Sequence, residues 1–568
     1  MDNLLSMLPL LSGLTLIIGG VVALVLPHTI RQIWLLAVIA ISAWWCWQID
    51  IGTHLTTNFM GVEMILNRAT AITKPFALVF HIAAALNVIY GASERLRIST
   101  SAAAIYAGAA IAALYAGDFL TLFIYWEATA FASVILVLAG NSAASFRAAM
   151  RYLAIQLLSG VLLLSGAAML YQDSGALTIT SLAPDTLAGA TLFLAFAIKA
   201  AFPLLNGWLH DAYPQASGTG TIVLSAFTTK LAIYMLALCF AGTHILVWIG
   251  VVMAISPILL IAVEKDLRRL LTYLLNNQLG FMVIGIGIGS ELAMNGVVAH
   301  AFASIIYQAL LFMGTGAILL RTGTTNIDEL GGLARKMPLT MLFTIIGALS
   351  ITAFPLSSGF ATKSLTIAAI GQTQSQLVVA LVLLASGTLV YATLKLVLFA
   401  FFGDDSNKQV QEAPPPMLVA MALAALLCVG IGIAPAPLYA LLPYEINHEI
   451  WTLSHLSFDI ISTVSIGLVF VFLWRRGWLP PHLDTYPISS DWFYTRFAPP
   501  LIAAITRPFY VAWQGGITFG RDAVVRLIMR LENLNARSNI SSGGLETGIA
   551  AGVILAVLSA ILALRYFL

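Results

Sequence analysis

Five ionisable side chains in this sequence have the chemistry to carry protons where bulk water is scarce. Glu127 lies in FLTLFIYWEATAFASVILVL, Lys199 in LFLAFAIKAAFPLL and Lys230 in SAFTTKLAIYML. His300 lies in VVAHAFASIIYQALLF and Lys363 in GFATKSLTIAAI. Each stands well inside an apolar run, where a charged group costs about 2.5–3.5 kcal/mol to insert. A carboxyl, an amine and an imidazole each exchange single protons. Burial and neighbouring charge tune each group's proton affinity, so an arriving proton changes the next group's readiness to give one up. Lys199 is too far from either end of its run to snorkel. Lys395, in YATLKLVLFAFFG, is nearer an end and is read as a structural, snorkelling residue. Ser304 and Gln308 follow His300 at i+4 and i+8 and share its helical face.

No ligand spacing for a metal, phosphate-binding loop or nucleophile triad accompanies these residues, and no cofactor is implied. Cys46, Cys239 and Cys428 are scattered through apolar runs and read as packing residues. The pattern is that of a transport path rather than of a site for covalent chemistry.

Two of the lysines stand beside a repeated phrase. AFPLLNGW, Ala201 to Trp208, nearly recurs as AFPLSSGF, Ala353 to Phe360. Lys199 precedes Pro203 by four residues, and Lys363 follows Pro355 by eight. A proline inside a helix removes a backbone donor and frees the carbonyl one turn back, here that of Lys199 itself. In a bilayer such groups are tolerated only where protein or water satisfies them. Two wet, broken helices at membrane depth are therefore expected, a recurring device of transporters.

The elements that position these residues follow from composition. The 568 residues are 60% hydrophobic and only 9% charged, against about 25% charged in soluble domains. The class is an all-α polytopic membrane protein, and the formal charge of +2 gives no reason to expect nucleic acid as a partner. Counting runs of roughly 20 apolar residues gives about sixteen segments, and the expected range is about 14 to 16 transmembrane helices. The run Leu4 to Leu26 lacks a basic leader and reads as the first span. Arg and Lys gather in alternate loops, which places those loops in the cytoplasm and the N-terminus outside. The segment 477–545 is more basic. Within it Phe519, Val524, Leu527, Ile528, Leu531 and Leu534 fall roughly at helical spacing, as in an amphipathic cytoplasmic or interfacial helix. The resulting organisation is N-terminal transmembrane helices over 1–100, a first unit over 101–241 and a second over 244–402. Further transmembrane helices follow over 403–476, then the 477–545 segment and a C-terminal transmembrane helix over 546–568.

Read together, these residues resemble the antiporter-like subunits shared by respiratory complex I, membrane-bound hydrogenases and Mrp-type sodium/proton antiporters. GDFLTLFIYWE resembles the family's acidic helix, with its glutamate at Glu127. AIKAAFPLLNGWLHDAYPQA resembles its first broken helix, with the buried lysine at Lys199; His210 replaces the usual proline before Asp211. SAFTTKLAIYML supplies Lys230, EKDLRRLLTYLLNNQLG resembles the family's next loop and helix, and FPLSSGFATKS resembles the second broken helix, with Lys363. The resemblance covers roughly residues 70–405. It implies two inverted five-helix repeats, each with one broken helix. Many members carry H-x-x-x-H-x-x-x-K where this chain has His300, Ser304 and Gln308. Serine and glutamine can hydrogen-bond water but hold no proton charge at neutral pH.

Lysine at 363 makes the chain look most like the D-type member of the Mrp antiporters. The resemblance then implies a proton-translocating subunit of a multisubunit Na+/proton antiporter. Its partners would be other membrane subunits, protons, sodium and the bilayer of a bacterial inner membrane. Glu127, Lys199, Lys230, His300 and Lys363 would form the path, with Asp211, His210, Ser304, Gln308 and Lys395 as secondary candidates. The alternatives are a proton-pumping subunit of a redox-driven complex, an energy-coupling subunit for inorganic-carbon uptake, and a structural subunit that does not conduct.

Overall fold

The computed structural model describes residues 11–478 apart from 60, 95, 407 and 447–450, and a scatter of helical residues between 500 and 526. The chain divides into two compact units, Met1–Trp492 and Phe493–Leu568. The amphipathic stretch expected over 519–534 and the C-terminal run 546–566 lie outside the described residues, save for the helical Arg526.

The first unit opens with α1 (Ser12–Ala23) and α2 (His28–Gln48), then a hairpin of β1 (Gly52–Phe59) and β2 (Val62–Ala69). Next come α3 (Thr73–Tyr90), α4 (Arg97–Leu114), α5 (Phe119–Leu138) and α6 (Ala143–Ser174). The first broken helix is α7 (Leu187–Lys199) and α8 (Gly207–Ala212), followed by α9 (Gly218–Ala226) and α10 (Thr228–Cys239). Then follow α11 (Ile245–Ile255), α12 (Pro257–Val263), α13 (Leu267–Ile288) and α14 (Glu291–Thr322). The second broken helix is α15 (Pro338–Ile351) and α16 (Ser358–Thr373). Last are α17 (Gln376–Val397), α18 (Pro415–Ile433), α19 (Ala436–Tyr439) and α20 (Leu453–Arg475).

Among the described residues, eleven helical segments are long and apolar enough to cross a bilayer, and the chain is a multi-pass membrane protein. The segments α9–α10, α13 and α14 are almost wholly buried and form the centre. By contrast α6 turns Leu158, Val161 and Leu164 outward, as a face meeting lipid or another apolar surface does.

Local chemistry starts and stops these helices. Asp118 caps α5 by accepting from the backbone of Leu120 and Thr121, and Asp266 caps α13 by accepting from Arg269 N. Ser142 and Ser290 cap α6 and α14, which end on left-handed glycines, Gly175 and Gly323. The members of each pair, two aspartates, two serines and two glycines, stand 148 residues apart (266 minus 118). So do two antiparallel bridges, Asp118 to Thr178 and Asp266 to Asn326.

The two breaks repeat as closely, 152 residues apart (353 minus 201). Phe202 N bonds Ala197 O and Phe354 N bonds Leu349 O. Ala201 and Leu204 hold left-handed backbone at φ 57° and 67°, and Ala353 and Leu356 do so at 59° and 68°. Left-handed backbone costs a non-glycine residue roughly 1–2 kcal/mol, so both breaks are held against local preference by their surroundings.

Three departures from the apolar-run reading are structural. The run 222–241 is interrupted at Phe227, although it contains no proline or glycine near that point. The run 244–263 is interrupted at Ser256, where Pro257 begins α12. The residues around Arg68 form the hairpin rather than a loop; Arg68 Nη1 donates to Ile179 O at 2.9 Å.

Candidate functional site

The site is built at helix interruptions. Lys199 ends α7, where a cation complements the negative end of the helix. It is fully buried, and its Nζ donates to Trp126 O at 2.8 Å and to Thr129 Oγ1 at 3.1 Å, both on α5. The same nitrogen lies 4.1 Å from the Trp126 ring centroid, a cation–π contact. Trp126 is fixed in turn: its indole donates to Ser159 Oγ, and Ser159 donates to Ala195 O. At the break itself Trp208 Nε1 bonds Ile198 O at 3.0 Å, so a side chain satisfies a carbonyl next to that of Lys199.

Glu127 lies beside Trp126 on α5 and is half-buried. Its carboxyl is within electrostatic range of Lys199 without forming an ion pair with it. It rests where Gly160 of α6 leaves room, and its Oε1 is buried with no hydrogen-bond partner.

The interruption at Phe227 serves Lys230. The Lys230 Nζ donates to Ser225 O at 2.8 Å, and the Thr228 amide donates to the Tyr106 hydroxyl at 2.9 Å. Side chains thereby satisfy backbone groups on both sides of the interruption. Tyr106 also shares a 2.5 Å hydrogen bond with Thr228 Oγ1, and Tyr152 shares one of 2.8 Å with Ser133. Thr129, Ser133, Tyr152, Tyr106 and Thr228 are all buried hydroxyls, Thr129 bonded to Lys199 and Thr228 two residues before Lys230.

His300 sits on α14, fully buried, with both Lys230 and Lys363 in electrostatic range. Neither ring nitrogen has a protein partner, and at that depth water is what can satisfy them. The Gln308 amide is buried and lacks a protein partner at either end, whereas Ser304 turns back to Ala301 O at 3.0 Å. Lys363, on α16, places Nζ 4.1 Å from the Phe281 ring centroid.

The secondary candidates divide. Asp211 pairs bidentately with Arg151 of α6, with contacts of 2.7 and 2.8 Å. His210 is buried next to Thr272, with Nδ1 to Oγ1 at 2.9 Å, and its ring lies 4.4 Å from that of Tyr273. Thr272 gives its own proton to Arg269 O, which leaves its oxygen to accept from His210. Lys395 does not snorkel. It is buried and donates to Ile261 O and Ala262 O, capping the last turn of α12. Its amine meets two terminal carbonyls instead of following the expected route to water.

Sequence reasoning misses Trp126, Thr129, Tyr106, Tyr152 and Phe281. Only the threonines beside Lys230 hint at the hydroxyl cluster. Among the described residues no group of three His, Cys, Asp or Glu is placed to hold a metal ion.

The chain is similar to several known membrane proteins. Over 350 residues it is 26% identical to the D-type subunit of the Na(+)/H(+) antiporter of Alkalihalophilus pseudofirmus, covering 58% of this chain and 71% of that one. Over 373 residues it is 27% identical to hydrogenase-4 component B of Escherichia coli, covering 58% and 55%. In fold it is similar to a chain of an archaeal membrane-bound sulfane sulfur reductase, with a TM-score of 0.71 and 22% identity, over 97% of this chain and 100% of that one. A chain of the Mrp complex from Dietzia gives 0.68 and 20%, over 84% and 99%. The family model for the transmembrane region of NADH:quinone oxidoreductases and Mrp antiporters matches residues 116–404, from just before α5 to just beyond α17. With that match spanning more than half its length and every relay candidate, the chain belongs to the NADH:quinone oxidoreductase/Mrp antiporter transmembrane family.

Proposed function

We propose that this chain is the proton-translocating subunit of a multisubunit monovalent cation/proton antiporter in a bacterial inner membrane. The observation that carries the reading is the set of buried ionisable groups, Lys199, Lys230, His300 and Lys363, with buried hydroxyls near the first two and an imidazole whose nitrogens have no protein partner. Such groups are costly in a membrane interior and are retained where ions or protons move. The likeness to the D-type member of a Na(+)/H(+) antiporter supports sodium as the exchanged cation and other membrane subunits as partners. The basic loops face the cytoplasm in this reading, and the N-terminus lies outside.

In the proposed cycle Glu127 biases Lys199. When the carboxylate stands close, the amine keeps its proton; when it withdraws or is protonated, the amine releases the proton toward Thr129. Lys230 and His300 pass it on toward Lys363. Gln308 and Ser304 orient water without storing charge, so His300 carries the charged step on α14 alone. The test uses inside-out vesicles holding the whole complex. Glu127→Ala and Lys199→Ala should each abolish cation-driven pH changes, and full activity in both would sink the mechanism.

A second reading has its own support. The fold likeness to the sulfane sulfur reductase chain extends over 97% of this chain, against 84% for the Mrp chain. A proton pump driven by redox chemistry in partner subunits would use the same relay. Proton movement that requires an electron donor and ignores sodium would select it.

A further inference from the structure

Lys363 has two different kinds of neighbour, an aromatic ring and a partly polar cavity. Toward α14 lies Phe281 of α13. Its ring centroid is 4.1 Å from the Lys363 nitrogen and 6.3 Å from the His300 ring, and the side chain is fully buried. Phe281 belongs to a small apolar cluster with Val247, Val251, Ile284 and Ile370, distinct from the main core. Lys363 also lines a cavity of about 70 Å³ between α16, α17 and α20, and Phe281 is not among its lining residues. Its polar lining is Thr352, Lys363, Ser364, Ser386 and Thr463, and the Ser386 hydroxyl is buried with no hydrogen-bond partner. A cavity of that size has room for a few waters, and a buried unpaired hydroxyl is a reason for them to stay. The cavity also touches Thr352 and Ala353, at the second break.

We infer that Phe281 is a gate between His300 and Lys363, and that the Ser386 cavity is the water compartment into which Lys363 discharges. A phenyl ring carries no group that can pass a proton, so while it stands between imidazole and amine the two do not exchange. Its face stabilises the ammonium form of Lys363 and holds a loaded carrier in place. Discharge moves one proton from Nζ to cavity water and leaves a neutral amine. The amine has then lost its attraction to the ring, which is free to swing. One proton from the His300 side restores the ammonium and closes the gate. The ring's position thus follows the charge of its neighbour, and protons do not run freely between the two compartments.

The inference rests on the proton-transport reading, and one experiment separates the two. The whole complex is reconstituted in liposomes under an imposed pH gradient, with and without sodium. Phe281→Ala should dissipate the gradient without sodium at least about fivefold faster than the wild type, while Phe281→Leu, which keeps most of the apolar volume, stays tight. Ser386→Val, which fills the cavity, should slow sodium-driven exchange about tenfold without any leak. A Phe281→Ala complex as tight as a wild type that exchanges normally overturns the gate and leaves the proposed function standing. A wild type that does not exchange, with a Phe281→Ala that leaks, overturns the function and keeps the gate. Should Phe281→Ala fail to assemble, Phe281→Val takes its place, and tightness there counts against the gate equally. Wild-type exchange in Ser386→Val overturns the cavity's role.

Discussion

The carboxyl of Glu127 occupies the notch that Gly160 leaves on the facing helix. A Cβ built on that glycine would fall on Oε1. The acid is therefore seated by the absence of a side chain on α6, and Gly160→Ala tests the seat without touching any ionisable group. Cation-driven proton transport should fall at least tenfold, a barrier change of about 1.4 kcal/mol, while the complex still assembles. A wild-type rate would show that the position of Glu127 is not what matters.

Thr129 offers a gentler probe of Lys199. Thr129→Val removes one of two acceptors on a buried cation and leaves Trp126 O in place. Losing such a bond costs about 1–3 kcal/mol. Thermal denaturation of the purified protein should show a lower midpoint for Thr129→Val and near recovery for Thr129→Ser. Equal midpoints for both would mean that the hydroxyl does not hold the amine.

The second break can be loaded and unloaded. A Cβ on Gly432 of α18 would meet the backbone of Leu356 and Ser357, with no flexible side-chain end to yield. Gly432→Ala should destabilise by about 1–3 kcal/mol and impair transport through the displaced break. Leu356→Gly acts in the opposite sense, relieving roughly 1–2 kcal/mol of left-handed strain at an entropic cost of about 0.5–1 kcal/mol. Its thermal midpoint should equal or slightly exceed that of the wild type. A clear loss of stability would show that the side chain, not the backbone, matters there.

A pH effect is expected at Glu94, just past the end of α3. Burial holds its carboxyl above the ordinary carboxylate range, against the opposing pull of the Thr219 hydroxyl and the Arg268 charge. The folded chain then keeps this proton after the unfolded chain, near pH 4.5, has lost it. Stability contributed here falls as pH rises above that value. Midpoints measured from pH 5 to pH 8 should fall less steeply in Glu94→Gln than in the wild type, and parallel curves would remove Glu94 as the cause.

What the sequence makes legible is whatever lies along the chain. Apolar runs mark most helices, the twin AFPL phrases mark both breaks, and depth within a run marks the buried amines of Lys199, Lys230 and Lys363, though not that of Lys395. What it conceals lies across the chain. The interruption at Phe227 has no local breaker, because its stabilising partner is the Tyr106 hydroxyl, 122 residues away. The acceptors of Lys199 are 73 and 70 residues upstream, on a helix whose Glu127 attracts attention first. Phe281 reads as an ordinary apolar residue until folding puts it against Lys363. The hairpin at 52–69 escapes a reading by apolar runs because an all-helical membrane class leaves little room for strands, although Leu55 to Thr57 and Val62 to Ile65 are rich in residues that favour them.

The brevity of α7 and α15 bears on how the protein is made. Thirteen and fourteen residues of helix rise only about 20 Å, short of the roughly 30 Å that hydrocarbon demands, so neither half-helix can settle in a bilayer unaided. Lys199 makes the first of them costlier still. Synthesis, however, runs from Trp126 and Thr129 toward Lys199, and from Phe281 toward Lys363. In each case the seat leaves the ribosome before the charge that will occupy it, so the order of the genetic text doubles as an order of assembly.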